Sequence, residues 1–452
     1  MRWTLEQLVA ATGGRATAGT PPPGDGFGPL TIDSRAAVAG SVFVPIVAER
    51  DGHAFIGAAV EAGAAAYLYD RDFPGAPVDG AVGIEVTGTA AALADLGRAA
   101  RRRLEPAAVV GITGSVGKTS TKDLTAAALR GARRVAASER SFNNELGVPL
   151  TLANAPADTE VAVVEMGARG IGHIAMLCAV AAPTVAVVTA VAAVHTEVFG
   201  TIDDVARGKG ELVEALPPGG IAVLNGDDHR VAAMAGRTDA AVLRYGLAAG
   251  LDVVAEGVDL DADLRPRFTL RSPWGAAPVR LAVRGAHQVG NALAALTVAL
   301  HLGVALDAAV EGVGTGELSP WRMELGTAAS GARVLNDAYN ANPTSMAAAL
   351  CSLAALPGVR RRVAVLGEMA ELGPEGPDAH LEVAALAASL DVEVVAVGTE
   401  AYGVAPVADV DAAAAHLDGL RLGGGDAVLV KASRVAGLER LAARLLAGGA
   451  PS

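Results

Sequence analysis

The segment between residues 107 and 129 constrains the fold most strongly. AAVVGI (residues 107–112) is an apolar, strand-like stretch, TGSVGKTS (113–120) is a glycine-containing loop, and residues 121–129 have a helical pattern. A strand, a tight loop and a helix in this order are typical of a unit of a parallel α/β sheet. Glycines let backbone N–H groups turn inward and the helix N-terminus adds its dipole, so the segment is predicted to bind phosphate groups.

The chemistry of this loop favours ATP. A lysine in this position reaches the β- and γ-phosphates, and the threonine after it can bind Mg²⁺. Isoleucine stands at 112, where the strict Gly-x4-Gly-Lys spacing requires glycine. The alternative is a strand-to-helix turn that happens to contain Gly-Lys-Thr, and the joint occurrence of strand, loop, lysine and threonine speaks against it. The predicted cofactor-binding residues of the loop are Gly114, Ser115, Val116, Gly117, Lys118, Thr119 and Ser120.

The 452 residues are too many for one ordinary core, which predicts two to four domains. We predict an N-terminal α/β domain over 1–105, a central ATP-binding domain over 106–318 and a C-terminal Rossmann-like domain over 319–452. Apolar strands alternate with helices in the last two, although residues 251–284 suit an antiparallel addition. The third domain lacks a Gly-x-Gly-x-x-Gly motif. The fold class is therefore α/β, with the phosphate loop on the central parallel sheet.

Composition and charge exclude several classes of protein. The chain is 52% hydrophobic, but no apolar run reaches the ~20 residues of a membrane-spanning helix, and the N-terminus does not resemble a secretory signal. A net charge of −13 argues against general nucleic-acid binding. Cys178 and Cys351 lie in apolar helical patterns, which predicts two packed thiols in a reducing compartment. We expect a cytoplasmic protein with small-molecule substrates and no membrane insertion.

Three residues further along the sequence are candidates for binding a metal ion or a phosphate group. Glu165 comes directly after the apolar run 161–164, at the sheet edge where α/β proteins bind ligands, and a carboxylate there can coordinate Mg²⁺ or cap a helix. His195 follows the run 185–188 and is either a ligand or a structural histidine. Lys209 lies in a helical stretch and by its pattern alone is a solvated lysine.

At this point the sequence resembles the Mur ligase family, the ATP-dependent amide-forming enzymes of peptidoglycan synthesis. The resemblance covers nearly the whole chain, and its blocks occur in the family's order. The family's own version of the loop explains the missing glycine at 112. The other blocks are SFNNELGVP (141–149), EMG (165–167), His195 with Phe199-Gly200, and KGE (209–211).

Two C-terminal stretches discriminate between branches of the family. DAYNANP (337–343) and LGEMAELG (366–373) resemble the branch that adds D-alanyl-D-alanine to UDP-N-acetylmuramoyl-tripeptide. The diaminopimelate- or lysine-adding branch shares the N-terminal DSR (33–35) and DGHAF (51–55), but it is expected to carry an Asp-Asn-Pro-Arg-like motif that this sequence lacks. The resemblance therefore implies the dipeptide-adding reaction.

Four positions depart from the family pattern, all expected near the nucleotide or the domain hinge. Asn336 replaces an aspartate, Pro320-Trp321 precede Arg322 where a glycine is expected, Gln288 replaces an asparagine, and Ala432 stands where glycine is common. None of them removes a charged group that the chemistry requires.

The resemblance also implies roles for individual residues. The tripeptide carboxylate attacks the γ-phosphate to give an acyl phosphate, and the dipeptide amine then displaces phosphate. The implied cofactors are ATP and Mg²⁺, and the implied oligomeric state is a monomer.

Implied catalytic residues are Lys118, His195, Lys209, Asn144 and Arg322. Further implied nucleotide contacts are Asn291, Arg322, Asp337 and Tyr339. Implied Mg²⁺ ligands are Thr119, Glu165, His195 and, if carbamylated, Lys209. Implied substrate contacts are Ser34, Arg35, His53, Asn340 and Asn342, the first two at the UDP end.

Three other functions compete with this interpretation. A folylpolyglutamate synthase-like ligase shares the loop and the acyl-phosphate chemistry, but the N-terminal DSR block and the YNANP stretch (339–343) speak against it. A catalytically silent nucleotide-binding relative is expected to have lost at least one of the reactive residues. A P-loop NTPase without ligase activity is the remaining alternative.

Overall fold

A computed structural model describes residues 1–17, 26–74, 78–139, 141–192 and 199–447. Three β-sheets follow one another along this part of the chain, and each draws its strands from one of the three predicted domains. Helices pack on the sheets, so the predicted α/β class is confirmed. None of the helices within the described ranges is long and apolar enough to cross a membrane.

The N-terminal sheet has the strand order β1-β5-β4-β3-β2, in which only β1 runs antiparallel to its neighbour. Helix α1 begins after Thr4, which forms a capping box with Gln7, and ends at Gly13 in the left-handed conformation. The strands are β1 Arg15–Ala16, β2 Leu30–Thr31, β3 Val42–Phe43, β4 Ala66–Asp70 and β5 Val82–Val86. The helices are α1 Leu5–Thr12, α2 Ile56–Glu61 and α3 Thr89–Arg103, with 3₁₀ turns at Ser34–Ala36 and Gly52–Phe55.

The central sheet has the order β14-β13-β12-β11-β10-β9-β6-β8-β7. Neighbouring strands pair in parallel from β7 at one edge of the sheet through β8, β6, β9, β10 and β11 to β12. The pairs β12–β13 and β13–β14 are antiparallel, as predicted for residues 251–284. The strands are β6 Ala108–Thr113, β7 Val135–Ala137, β8 Val161–Glu165, β9 Val185–Val188, β10 Ile221–Asn225, β11 Ala241–Gly246, β12 Val253–Leu260, β13 Pro266–Ser272 and β14 Gly275–Arg280. The helices are α4 Lys118–Arg130, α5 Gly147–Asn154, α6 His173–Ala181, α7 Ile202–Glu214, α8 His229–Ala233, α9 Gln288–His301 and α10 Leu306–Thr315.

The C-terminal sheet has the order β15-β16-β19-β17-β18, parallel except for the β15–β16 pair. Its apolar strands are buried under helices on both faces, which is why they lack polar alternation. The strands are β15 Glu324–Thr327, β16 Arg333–Asn336, β17 Arg361–Leu366, β18 Glu393–Ala396 and β19 Asp426–Lys431. The helices are α11 Pro343–Ala354, α12 Gly376–Ser389, α13 Val410–Gly419 and α14 Glu439–Leu446.

The N-terminal and central units share one hydrophobic core. Leu93 and Leu96 of α3 belong to the same buried cluster as Val148 of α5 and Ile174 of α6. The helices approach closely at Gly97, where an added Cβ would lie 2.7 Å from Pro149. By contrast, the C-terminal sheet is buried in two clusters made almost entirely of its own residues. The first two units are therefore held together by apolar burial, and the third is joined more loosely.

Three details of the sequence prediction were wrong. The helix after the loop begins at Lys118 and not at 121, because the loop turns directly into the helix. Glu165 is the last residue of β8 and not the residue after it. Cys178 is buried as predicted, but Cys351 is exposed, since it falls on the outer face of α11.

Candidate active site

The loop between β6 and α4 adopts the conformation that its glycines permit. Gly114 has φ 150° and Gly117 has φ 84°, values that side-chain-bearing residues rarely adopt. The loop is also crowded, because a Cβ on Gly114 would collide with the Thr189 side chain and one on Gly117 would lie 2.5 Å from Asn291 Oδ1. The two glycines therefore fix both the turn and the closeness of the loop to α9.

Lys118 folds back over this loop. Its Nζ donates to the carbonyl oxygen of Gly114 at 2.8 Å and to that of Ser115 at 3.4 Å. Burial lowers the pKa of Lys118, and the negative charge of Glu165 opposes that shift. Lys118 and Glu165 line the same cavity.

Glu165 is fully buried, and only one of its two carboxylate oxygens has a hydrogen-bond partner in the described ranges. Its Oε1 accepts a hydrogen bond of 2.8 Å from Asn143 Nδ2. Its Oε2 is buried without a hydrogen-bond partner among the described residues. An unpaired buried carboxylate oxygen carries a desolvation penalty that a cation would offset. The donor chemistry at this position therefore fits a hard metal ion such as Mg²⁺.

Lys209 is 2% exposed and lies on α7, so its pattern-based interpretation as a solvated lysine was wrong. Burial lowers its pKa well below the ordinary lysine value, and the positive charge of Lys118 lowers it further. Two residues on, Glu211 accepts hydrogen bonds from the backbone N–H groups of Gly172 (2.5 Å) and Ala175 (2.9 Å) at the start of α6. Glu211 thus fixes α7 against α6 and holds Lys209 in place.

At the cavity, two polar side chains of the C-terminal unit, Arg322 and Tyr339, contact Ser141 of the central unit. The Tyr339 hydroxyl donates to Ser141 Oγ at 2.5 Å. The guanidinium carbon of Arg322 lies 3.9 Å from the centre of the Tyr339 ring, and its Nη2 is 3.5 Å from the same serine oxygen. Arg322 and Tyr339 therefore approach the loop side of the cleft together.

Lys431 is a site residue that the sequence prediction missed. It ends β19 with only 2% of its side chain exposed, and its Nζ donates to Asp337 Oδ2 at 2.6 Å and to the Asn340 carbonyl at 2.8 Å. The available signal was a lysine at the carboxyl end of the apolar run 427–430. Lys431 thus holds Asp337 and the backbone beside it.

These groups line one cavity of about 850 Å³ between the three units. Ile32 contributes from the N-terminal unit, and the other two units supply the rest. The cavity brings together most of the predicted site residues. They are Gly114, Ser115, Val116, Gly117, Lys118, Thr119, Ser120, Asn144, Glu165, Lys209, Asn291, Arg322, Asp337, Tyr339, Asn340 and Asn342.

Ser34 and Arg35 lie in the N-terminal unit and are not among the described residues that line this cavity. They form a 3₁₀ turn capped by Asp33. Arg35 pairs with Asp33 through hydrogen bonds of 2.9 and 2.7 Å, and its guanidinium is exposed to solvent. Their role at the UDP end therefore stays a prediction.

The placement of His53 does not support the predicted substrate contact. The side chain is 2% exposed, and Nδ1 lies 2.6 Å from Asp51 Oδ1. Nε2 accepts a hydrogen bond of 3.1 Å from the Asp70 N–H, and the ring stacks on Phe73. Both ring nitrogens have hydrogen-bond partners inside the N-terminal unit, at Asp51 and Asp70. His195, the predicted second metal ligand, lies outside the described residues.

Trp321 explains one of the departures from the family pattern. Its φ is 63°, in the left-handed region where a glycine is the least strained residue. The backbone is held there because Trp321 N–H donates to Glu324 Oε1 at 2.8 Å and its carbonyl accepts from the Tyr339 N–H at 3.2 Å. The tryptophan therefore keeps the turn that a glycine would make.

Asn336 and Gln288 also have structural explanations. Asn336 is buried and donates to Glu324 Oε2 at 2.8 Å, where an aspartate would face a second carboxylate. Gln288 Oε1 accepts from Asn291 Nδ2 at 2.8 Å and so orients the asparagine beside the loop. Ala432 packs against Gly367: a Cβ added to Gly367 would lie only 2.8 Å from the Cβ of Ala432.

A phosphate loop, a buried carboxylate and amine beside it, and a cavity walled by three α/β units define a multidomain nucleotide-binding enzyme. Comparison with known proteins identifies its family. The Mur ligase middle domain matches residues 112–299, and the Mur ligase glutamate ligase domain matches residues 321–434. The chain belongs to the Mur ligase family.

Relatives and solved structures agree with this assignment. A UDP-N-acetylmuramoyl-tripeptide–D-alanyl-D-alanine ligase of Mycobacterium tuberculosis is 41% identical, over 93% of this chain and 92% of that protein. A crystal structure of MurF from Acinetobacter baumannii superposes with a TM-score of 0.87 at 29% identity and covers 99% of both chains. MurF ligase from Thermotoga maritima in complex with ADP has a TM-score of 0.79 at 28% identity, over 92% of this chain and 97% of that one.

Proposed function

We propose that this chain is an ATP-dependent ligase that joins D-alanyl-D-alanine to UDP-N-acetylmuramoyl-tripeptide. The products are UDP-N-acetylmuramoyl-pentapeptide, ADP and phosphate, for peptidoglycan synthesis. The observation that carries the proposal is the meeting of the phosphate loop, Glu165, Lys209 and the C-terminal wall in one cavity. The name of the 41% identical relative supports the choice of substrates.

The reaction requires activation of a carboxylate. A carboxylic acid has a pKa near 4, so at neutral pH it is an anion that an amine does not attack productively. An oxygen of the tripeptide carboxylate attacks the γ-phosphorus, the bond to the β-phosphate oxygen breaks, and ADP leaves. The dipeptide amine then attacks the acyl carbon, loses a proton and expels inorganic phosphate. Each step is favoured by positioning and by neutralising charge.

The loop residues supply much of that neutralisation. Lys118 would exchange its contacts with the Gly114 and Ser115 carbonyls for the β- and γ-phosphates, and the N–H groups at the start of α4 would donate to the same phosphates. Arg322 approaches the γ-phosphate from the C-terminal wall, and Asn144 lies beside the transferred group. Asp337, fixed by Lys431, binds the ribose together with Asn291 and Tyr339 on the nucleotide side.

Glu165 and Thr119 would hold Mg²⁺. The buried Oε2 of Glu165 has no hydrogen-bond partner in the described ranges, and Thr119 is the second residue of α4, directly after Lys118. When bound, the ion supplies positive charge that stabilises the developing charge on the phosphates. His195 is proposed as a ligand of a second Mg²⁺.

Lys209 is proposed to carry a carbamate. The uncharged Nζ attacks the carbon of CO₂, an N–C bond forms as one C=O π bond breaks, and the nitrogen loses a proton, which converts a neutral amine into an anionic carbamate. Protonated lysine has no lone pair for this step, so the lowered pKa of the buried Lys209 favours it. The anion would then help to hold metal beside Glu165.

The remaining assignments complete the proposal. Ser34 and Arg35 bind the UDP end of the first substrate, because an arginine provides bidentate contacts to phosphate. Asn340 and Asn342 contact the substrates from the C-terminal wall. The protein works as a cytoplasmic monomer.

Phosphate release tests this function directly. Release should require ATP, Mg²⁺, UDP-N-acetylmuramoyl-tripeptide and D-alanyl-D-alanine together, and the pentapeptide product should be visible by mass spectrometry. Release that ignores either substrate would contradict the ligase assignment and favour a plain NTPase. Replacing the dipeptide with diaminopimelate, lysine or glutamate separates the branches, because only the correct amine should support turnover.

A further inference from the structure

The C-terminal wall of the cavity carries an arginine, Arg434, that has no part in the nucleotide contacts proposed above. The charged residues of this wall that line the cavity are Arg322, Asp337, Glu371, Lys431 and Arg434. Lys431 and Asp337 pair with each other, and Arg322 lies over Tyr339 toward Ser141. Arg434 has no part in either arrangement and is held by other partners, Trp321 and Glu439.

Arg434 is held in a fixed position. It follows β19 in a 3₁₀ turn, Arg434–Ala436, and its guanidinium carbon lies 4.3 Å from the centre of the Trp321 ring. Its Nη1 pairs with Glu439 Oε1 at 2.9 Å, yet 51% of its side chain is exposed. A guanidinium has five N–H donors, and one ion pair uses only part of them. Arg434 is thus supported on one face and one edge and retains donors for an anion.

Trp321, whose ring lies under the Arg434 guanidinium, has a strained backbone conformation. Trp321 holds a left-handed conformation that a glycine would adopt without strain. Its indole is the ring on which the guanidinium lies, and a glycine would remove that contact. Strain at a residue that orients a cavity-lining cation is consistent with a functional site.

The surroundings of Arg434 suit a small anion with aliphatic groups. Val435 lines the cavity with 81% of its surface exposed, which is unusual for a large aliphatic residue. The N-terminus of α11 is at the same wall, where Thr344 and Ser345 line the cavity, and its dipole favours a negative charge. D-Alanyl-D-alanine has one carboxylate and two methyl groups, and its amine must remain free to react.

We infer that Arg434 binds the carboxylate of the incoming dipeptide, with Trp321 and Glu439 as its positioning residues and Val435 against the methyl groups. The inference rests on the proposed ligase function and deepens it by naming the residue that selects the second substrate. A dipeptide spans about 7 Å, so anchoring its carboxylate at Arg434 directs the amine away from the turn and into the cavity. Arg434 therefore determines both the specificity and the orientation of the nucleophile.

The test compares D-alanyl-D-alanine with its C-terminal amide, which lacks the negative charge. The wild-type protein should use the acid with a kcat/KM at least about 10-fold higher than the amide. Arg434→Gln should raise KM for the acid by about 10- to 100-fold, lose most of the preference over the amide, and leave KM for ATP and the tripeptide within about twofold. Arg444→Gln is the matched control, because Arg444 is similarly exposed and pairs with Asp411 at 3.2 Å.

Trp321→Gly keeps the inference testable if Arg434→Gln fails to fold, since glycine suits the backbone at 321. It should raise KM for the dipeptide by less than Arg434→Gln does and weaken the preference for the acid. A preference that survives both substitutions, or an equal rise in KM for ATP, would overturn the inference. A wild-type protein that uses the dipeptide but does not distinguish acid from amide would overturn the inference alone, whereas one that uses neither would also overturn the proposed function.

Discussion

Asn143 donates a 2.8 Å hydrogen bond to one carboxylate oxygen of Glu165 and leaves the other oxygen buried and unpaired within the described ranges. The amide holds the carboxylate in one orientation, so the unpaired Oε2 faces a fixed direction in the cavity. This asymmetry makes Glu165 the best starting point for testing the metal site.

Glu165→Gln should lower kcat for phosphate release by at least about 100-fold and raise the Mg²⁺ concentration needed for half-maximal rate, because a neutral amide is a weaker ligand than a carboxylate. The measurement is the rate across a Mg²⁺ titration. Glu160→Gln is the control, since Glu160 pairs with Arg134 at the surface. An unchanged Mg²⁺ dependence in Glu165→Gln would argue against the metal assignment.

Lys118→Ala should abolish phosphate release, with a loss of about 1,000-fold or more, because the lysine is proposed to neutralise the transferred phosphate. Folding should be preserved, since the hydrogen bonds of Nζ reach only two carbonyl oxygens of the neighbouring loop. Arg130→Gln at the exposed end of α4 is the control. If the Lys118 variant kept most of the rate, the loop would not be the ATP site.

In CO₂-free buffer, Lys209 should make the free energy of unfolding of the protein depend on pH. Its pKa is lowered in the folded protein, so the unfolded chain binds more protons between that lowered pKa and the ordinary value of 10.5. Stability of the wild type should therefore rise with pH across this window. Lys209→Met should be more stable near neutral pH, by about 2 °C or more in melting temperature, and the difference should shrink toward pH 10.5.

Activity provides a second measurement on the same residue. Removing CO₂ should lower the rate of the wild type, and bicarbonate should restore it, because the proposed carbamate would form from dissolved CO₂. Lys209→Met should be slow in both conditions. A wild-type rate that is indifferent to CO₂ would mean that Lys209 acts as a free amine.

The hydrogen bond between Tyr339 and Ser141 should couple the C-terminal and central units. Tyr339→Phe and Ser141→Ala should each raise KM for ATP by about fivefold, the equivalent of a ~1 kcal/mol hydrogen bond. The double variant should be no worse than Ser141→Ala, because Ser141→Ala already lacks the bond that Tyr339→Phe removes. Additive losses would show that the two side chains act independently.

Much of the site could be predicted from the sequence. The loop and Glu165 follow apolar runs, and the ends of parallel strands meet at one sheet edge, so their proximity needed no tertiary information. The DAYNANP stretch likewise placed Asp337 and Tyr339 at the cavity through its resemblance to the family.

Other features depend on contacts that a linear pattern does not contain. A lysine in a helix is usually solvated, and Lys209 is buried because α7 packs against α6, β6 and β9 of the central unit. His53 belongs to a family block, but its neighbours Asp51 and Asp70 occupy both ring nitrogens. Lys431 acquires its role from Asp337, which is distant in sequence.

The shared core of the N-terminal and central units has a consequence for substrate length. Because α3 packs into α5 and α6, the separation between Arg35 and the phosphate loop is set by the protein and not by the ligand. A substrate anchored by its UDP end can bring its terminal carboxylate to Lys118 only if the peptide between them has the right number of residues. The two units together fix the distance that the substrate must span. We expect a substrate that carries a dipeptide or a tetrapeptide to bind through its UDP end without placing its terminal carboxylate at the phosphate loop.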